Sequence, residues 1–399
     1  MNNYFQRVAL SLLLSAVSAQ NSDAYVLMIS MDGFRADYLD RTYTPNFDKL
    51  ANRGVKAESL RPVFISKTFP NHYSLATGMY PENHGLIANS FYAPDLQERY
   101  SMRDRSKVED GRFYAGEPIW ITAEKQGLKA ASFYWVGSEA QGLRPSIWKR
   151  YDQGVPFDAR VDSVISWFSL PPPSRPNLVL LYFHEPDWTG HAEGPNGWKT
   201  LKKVRDMDAL LGRILSKTSK LDIAQNLNII VTSDHGMMEV DSEKLIDLSA
   251  YADFSDVRFE GSGPTVAISS DSEEKLGEVY ESLTTVPHCN VYYRQDIPDR
   301  WHYKNHDRIG DILVVADKGW WLSALSHGSF LPKGMHGYDN DLQSMHAIFI
   351  ADGPAFKDGY LRGIFDNIHV YPLVAHILDL APYPGIDGDL DAVRDLLRD

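Results

Sequence analysis

Three short motifs, far apart in the chain, carry residues that bind metal ions: Met31-Asp32-Gly33, Asp187-Trp188-Thr189-Gly190-His191 and Ser233-Asp234-His235-Gly236. Met335-His336-Gly337-Tyr338-Asp339 adds a further histidine. Asp32, Asp187, Asp234, His191, His235 and His336 are enough for two metal ions at three protein ligands each. Carboxylate and imidazole together suit zinc, and three protein ligands per ion leave a position open for substrate. Two ligand-type side chains on neighbouring residues normally point apart. Asp234 and His235 can therefore serve one ion only where a strand breaks, and Gly236 supplies that break. Thr68, in Lys67-Thr68-Phe69-Pro70-Asn71-His72, is a candidate nucleophile. A free threonine hydroxyl attacks poorly at neutral pH, but metal coordination favours the alkoxide. Pro70 suits the first turn of a helix, so Thr68 sits near a helix N-terminus, where backbone dipoles favour an anion.

The elements that position these residues alternate between strand and helix. Tyr25 to Ser30, Ala130 to Trp135, Leu178 to Phe183 and Leu227 to Thr232 are apolar runs fit for buried parallel strands. Thr44-Pro45 opens a helix that Gly54 stops. Trp198 to Leu215, Ser272 to Leu283 and His369 to Leu380 have helical spacing, and His369 and His376 fall on that last, packing helix. The alternation predicts an α/β fold with a mostly parallel central sheet and helices on both faces. Asp32, Asp187 and the Asp234-His235 pair each follow an apolar strand closely. In open α/β sheets ligands bind at the carboxyl ends of the strands, so these motifs converge on one site. Residues 252–334 are more irregular and are expected to form an inserted subdomain.

Composition bounds the rest. The chain has 399 residues, 43% hydrophobic and 23% charged, which is long enough for a large core. A formal charge of −13 argues against a nucleic-acid docking surface, though not against a small anionic substrate at a metal pair. Residues 1–19 read as a secretory signal peptide: Arg7, then the short apolar run Val8 to Val17, then small residues before Gln20. No later stretch is apolar and long enough for a transmembrane helix. Cys289 is the single cysteine, so no intrachain disulfide can form; a periplasmic or secreted protein with a large core is expected.

The chain resembles the nucleotide pyrophosphatase/phosphodiesterase family of the alkaline phosphatase superfamily. The resemblance is carried by Met31 to Arg35, Lys67 to Tyr73, His84 to Asn89, Glu185 to His191, Ser233 to Met237 and His336 to Asn340, in family order over almost the whole chain. It implies an alkaline-phosphatase-like fold, a catalytic domain over residues 20–399 and two zinc ions. One zinc would be held by Asp32, Asp234 and His235, with Thr68 on the same ion, and the other by Asp187, His191 and His336. It further implies that Thr68 attacks phosphorus to give a phosphothreonine, and that Asn89 donates to a phosphoryl oxygen. Phe69 and Tyr182 would correspond to an aromatic pair enclosing a nucleobase. The implied reaction cleaves phosphodiester or pyrophosphate bonds of nucleotides to release nucleoside 5′-monophosphates. Phospholipid head-group diesters and phosphonoacetate-type hydrolysis are the alternatives on the same scaffold. His184 and Trp188 depart from the family pattern; neither is a ligand.

Overall fold

A computed structural model describes residues 23–324 and 331–398; the signal-peptide expectation falls outside them. Its centre is an eight-stranded sheet. In spatial order the strands are Tyr360–Arg362, Val55–Ala57, Phe349–Asp352, Leu227–Thr232, Tyr25–Met31, Leu178–Phe183, Ala130–Phe133 and Ile147–Lys149. All run the same way except Phe349–Asp352, which is antiparallel to both neighbours. The sheet is thus mostly parallel.

Side-chain alternation along the central strand divides the core in two. Val26 and Met28 face one cluster, which also holds Tyr73, Trp120 and Leu373 from helices Thr68–Thr77, Ile119–Lys125 and Val370–Ile377. Leu27, Ile29 and Met31 face the other, which holds Phe47, Val164 and Leu211 from helices Pro45–Arg53, Phe157–Phe168 and Trp198–Thr218. A strand buried on both faces has no polar alternation, which is why Tyr25–Met31 and Leu178–Phe183 read as continuous apolar runs.

Boundaries differ from the expected ones where the backbone turns. The Ala130 strand ends at Phe133 rather than Trp135, because Tyr134 takes φ 75° and leaves the extended region. Helix Pro45–Arg53 starts and stops as expected, with Pro45 in its first turn and Gly54 at its C-cap. The last packing helix covers Val370–Ile377, within the expected interval; His376 is exposed on it, and His369 lies just before it.

Residues 258–316 contain an antiparallel sheet in the order Arg258–Glu260, Thr265–Ser269, Ile312–Ala316 and Cys289–Tyr293. Helix Glu273–Thr284 packs on it, and Val266, Ile268, Val279, Leu283, Ile312 and Val314 form a core separate from the two above. Cys289 is half-buried there, opposite Ala316. No helix among the described residues is long and apolar enough to cross a membrane.

Candidate metal centre

The three motifs meet at the carboxyl ends of adjacent strands. Asp32 follows Tyr25–Met31, and Asp187 follows Leu178–Phe183. Asp234 and His235 follow Leu227–Thr232. Backbone contacts lock the motifs together. The Asp187 N–H donates to the Asp32 carbonyl at 2.9 Å, and the Gly33 N–H donates to Asp234 Oδ1 at 3.2 Å. Gly33 has φ +66°, and a Cβ there would lie 2.8 Å from Asp187 Cβ. This glycine therefore lets two ligand-bearing loops touch.

Asp187 and His191 were expected to share a tight turn; they lie one helical turn apart at the start of helix Asp187–Glu193, which puts both on one face. Asp234 and His235 occupy the irregular segment after Thr232. His336 follows the short strand Gly334–Met335, which pairs antiparallel with Met238–Glu239 just beyond Gly236. Thr68 opens helix Thr68–Thr77, with Pro70 in its first turn.

Separations among the polar atoms suit cation binding. His235 Nε2 lies 3.0 Å from Asp234 Oδ2, 3.5 Å from Asp32 Oδ1 and 3.2 Å from Thr68 Oγ1. Asp187 Oδ2 lies 3.4 Å from His191 Nε2, and Asp187 Oδ1 lies 3.7 Å from His336 Nε2. Ligands about 2.0–2.1 Å from a tetrahedral zinc stand ~3.4 Å from one another, so both groups have a suitable span. The His235 and His336 rings stack between the groups, centroids 3.5 Å apart.

In each of the three candidate ligand histidines Nε2 is the nitrogen left available to a cation. Nδ1 faces a backbone carbonyl in every case: Gly334 at 2.7 Å for His191, Gly236 at 2.9 Å for His235 and Ser66 at 2.8 Å for His336. A carbonyl only accepts, so Nδ1 carries the hydrogen and Nε2 keeps its lone pair.

Asp32 Oδ1, Asp187 Oδ1 and Asp234 Oδ2 are all buried without a hydrogen-bond partner. Burial, with Asp234 and Asp187 nearby, pushes the Asp32 carboxyl well above its ordinary range. Burial opposes ionisation of Asp234 and Asp187 too, but His235 and His72 hold the first low, and His191 and His336 the second. Three facing carboxylates, each with an unsatisfied oxygen, fit a divalent cation and fit little else.

Several supporting residues were not legible as functional. His72 groups with Asp32 and Asp234. Its Nε2 is 2.7 Å from Ser30 Oγ, and its Nδ1 is 2.9 Å from the Thr68 carbonyl and 3.3 Å from Asp234 Oδ2. Both ring nitrogens are thus engaged, which makes His72 a brace between nucleophile and ligand. Asn71 Nδ2 donates to the Ile65 and Lys67 carbonyls and fixes the loop before Thr68. Arg35 donates to the Met237 carbonyl and pairs with Asp37, joining two motifs. Lys67 is half-buried over Gly337, and burial pushes its amine down to about 8 against the pull of Asp187.

Asn89 Oδ1 accepts from the Phe69 N–H at 2.9 Å, so the Asn89 amide is held against the residue that follows Thr68. Tyr182, expected with Phe69 to enclose a base, lines the cavity beside Thr68. Its hydroxyl donates to Asp32 Oδ2 at 2.6 Å, and its ring meets the edge of His72. Two cavities lie near the start of helix Thr68–Thr77, and Thr68 lines the smaller of them. One of about 170 Å³ contains Asp32, Thr68, Phe69, Tyr151, Tyr182 and Asp187. The other, about 730 Å³, is lined by Lys67, Asn89 and Met335 on one side and by the antiparallel sheet on the other.

The chain is similar to known proteins over most of its length. A family model described as type I phosphodiesterase / nucleotide pyrophosphatase matches residues 26–339. Human ectonucleotide pyrophosphatase/phosphodiesterase family member 5 is 38% identical over 390 residues, 97% of this chain and 80% of that protein. The bis(5′-adenosyl)-triphosphatase of Xenopus laevis is 38% identical over 94% of this chain and 82% of its own length. Venom phosphodiesterase of Crotalus durissus collilineatus is 37% identical over 94% of this chain, which spans 46% of that protein. The structure of murine ectonucleotide pyrophosphatase/phosphodiesterase 5, an inactive form in complex with AMP, superposes with a TM-score of 0.90 at 37% identity, covering 94% of this chain and all of the other. The fold is accordingly the alkaline-phosphatase-like one expected from the motifs. The chain belongs to the type I phosphodiesterase / nucleotide pyrophosphatase family of phosphoric diester hydrolases.

Proposed function

We propose that this protein is a two-zinc hydrolase that cleaves phosphodiester or pyrophosphate bonds of nucleotides and releases nucleoside 5′-monophosphates. The observation that carries this reading is Thr68 Oγ1, 3.2 Å from His235 Nε2 at the edge of a carboxylate–imidazole cluster with three unsatisfied carboxylate oxygens. Asp32, Asp234 and His235 would hold one ion next to Thr68, and Asp187, His191 and His336 the other. Bound zinc would supply Lewis acidity at the nucleophile and at the leaving oxygen.

The residues of the chain do the rest. Thr68 Oγ1 attacks phosphorus as the P–O bond to the leaving group breaks, the hydroxyl proton going with the departing alcohol or phosphate; water then cleaves the resulting phosphothreonine ester, releasing the monophosphate and restoring the Thr68 hydroxyl. Asn89, held by the Phe69 N–H, turns its amide hydrogens to a non-bridging oxygen. Phe69 covers one face of the base. On the other side, Tyr182 is fixed through Asp32 as a floor, and the half-buried Tyr151 offers a second ring in the same cavity. The AMP complex of the murine relative supports the nucleotide reading. Residues 20–399 are read as one catalytic domain, with residues 252–334 an insertion that walls the larger cavity. The venom phosphodiesterases among the relatives accord with an exported, periplasmic or secreted protein.

Chelation is expected to abolish turnover and zinc to restore it; active protein free of divalent ions would exclude the metal mechanism. Turnover of thymidine 5′-monophosphate p-nitrophenyl ester, p-nitrophenylphosphocholine and p-nitrophenyl phosphate tests the substrate class. The nucleotide diester should lead, because the contact read to meet a phosphoryl oxygen outside the metal ligands is the neutral Asn89 amide, and Arg105 of the same cavity is already paired with Glu139. Equal or better efficiency on the choline diester would favour the head-group alternative.

A further inference from the structure

His336 is anchored differently from the other candidate ligands. Asp32, Asp234 and His235 follow strands of the eight-stranded sheet, and Asp187 and His191 lie on the helix after another. His336 follows Gly334–Met335, which pairs over only two residues with Met238–Glu239. What holds it is a second irregular segment. His336 Nδ1 donates to the Ser66 carbonyl at 2.8 Å, the Gly337 N–H donates to Ser66 Oγ at 3.2 Å, and that hydroxyl donates to the Tyr338 carbonyl at 2.8 Å. Neither segment belongs to the eight-stranded sheet, so each leans on the other.

One short turn grips both. Asp299–Trp301 lies between strands Cys289–Tyr293 and Ile312–Ala316 of the separate antiparallel sheet. The buried Trp301 indole stacks on Phe64, two residues before Ser66, with ring centres 4.1 Å apart and 7° between planes. Its Nε1–H donates to Asp339 Oδ1 at 3.2 Å, three residues after His336. Arg300 donates from Nη1 to the same oxygen at 2.8 Å and from Nη2 to Oδ2, and Nη1 also reaches Asp341 Oδ2 at 2.9 Å. An ion pair with 45% and 29% of its side chains exposed contributes little to stability, but a guanidinium–carboxylate fork fixes direction as well as distance. We propose that Arg300 and Trp301 are positioning residues for the metal centre: by gripping Asp339 and Phe64 at once, they set the His336 segment against the Ser66 segment and so place His336 Nε2 opposite Asp187. The proposal rests on the two-zinc reading above.

Zinc-loaded protein dialysed against graded dipicolinate, with retained zinc counted by atomic absorption, tests it. Arg300→Gln removes the fork. Trp301→Phe removes the Nε1–H and keeps a ring on Phe64. Each variant should fall to one zinc per chain at about tenfold lower chelator than the parent, the low end of what partners of a metal ligand contribute. His191→Ala, which removes a ligand from the same candidate ion, gives the reference one-zinc state. Adding Arg300→Gln to His191→Ala should leave retention of the remaining zinc unchanged, because two changes acting through one site are not additive. Zinc retention equal to the parent's in both Arg300→Gln and Trp301→Phe overturns the proposal. Weaker retention of the remaining zinc in the double variant also overturns it, since the turn then supports the fold at large. A parent that holds fewer than two zinc ions overturns the two-zinc reading and the proposal together.

Discussion

The metal side and the base side of the cleft share Thr68 but are built in opposite ways. On the candidate metal side the carboxylates and imidazoles sit close after strand ends or, like His191, on the helix that follows one, and each histidine is held by a carbonyl in or next to one of the motifs: Gly236 for His235, Gly334 for His191, Ser66 for His336. On the base side only Phe69 belongs to such a motif. Arg105, Trp135, Glu139 and Tyr151 arrive from connections spread over some fifty residues of chain and meet only in three dimensions. A buried metal pair tolerates little positional error, so its ligands are rooted in the rigid sheet. A pocket for a planar base can be walled by loops, and such walls are free to differ between relatives.

The comparison is tested hardest at the shared residue. Thr68→Ala should lower turnover of every substrate by on the order of 10⁴-fold or more, as expected when a covalent nucleophile is removed. Metal content measured by atomic absorption should persist, because the six carboxylate and imidazole ligands remain. Retained turnover would make a water, not Thr68, the attacking group. Thr68→Ser should recover part of the rate.

Asn89 stands at the junction of the two sides. Its Oδ1 accepts from the Phe69 N–H, so the role proposed for it toward substrate is that of a donor. Asn89→Ala should cost about 10-fold to 10³-fold in kcat, with nucleotide and bis-p-nitrophenyl phosphate affected alike. An unchanged rate would reduce Asn89 to a brace for the helix carrying Phe69.

Tyr182 shows where reading the sequence stopped short. Its place five residues before Asp187, at the end of an apolar strand, made it a candidate stacking ring, and the strand itself runs from Leu178 to Phe183 as expected. The hydroxyl, however, lies 2.6 Å from Asp32 Oδ2, a contact across 150 residues that no local pattern announces. His72 is similar: the motif named it, but only the fold shows it between Ser30, Thr68 and Asp234. The carboxylates and imidazoles that the fold brings together were legible because metal chemistry restricts residue types and strand ends restrict positions. Their orienting partners were not, because backbone carbonyls and lone hydroxyls leave no compositional trace. Tyr182→Phe removes one hydrogen bond to the candidate ligand carboxylate Asp32 and should cost about 10-fold to 100-fold in metal affinity or in turnover. The loss should be equal for nucleotide and base-free diesters. A loss confined to nucleotides would move Tyr182 to the base side.

Phe69 and Tyr151 give the complementary result. Both rings line the cavity beside Thr68, both are half-buried, and neither side chain hydrogen-bonds to a metal ligand among the described residues. Phe69 touches the edge of Tyr100, and Tyr151 packs at 5.0 Å against Tyr134, so each is held in place by a neighbouring ring. Base–aromatic stacking is worth about 1–3 kcal/mol per base, so Phe69→Ala or Tyr151→Ala should each lower kcat/KM for a nucleoside ester by roughly tenfold. Bis-p-nitrophenyl phosphate has no base to lose, so its efficiency should fall much less. The Tyr151 backbone N–H still reaches Glu139 in the alanine variant, which leaves that end of the wall attached. The informative quantity is the ratio of the two losses. A ratio well above one for Tyr151 and near one for Tyr182→Phe would separate the two sides of the cleft by function as cleanly as they differ in construction. Equal ratios for both tyrosines would mean that the cavity walls and the metal ligands respond as one packed unit.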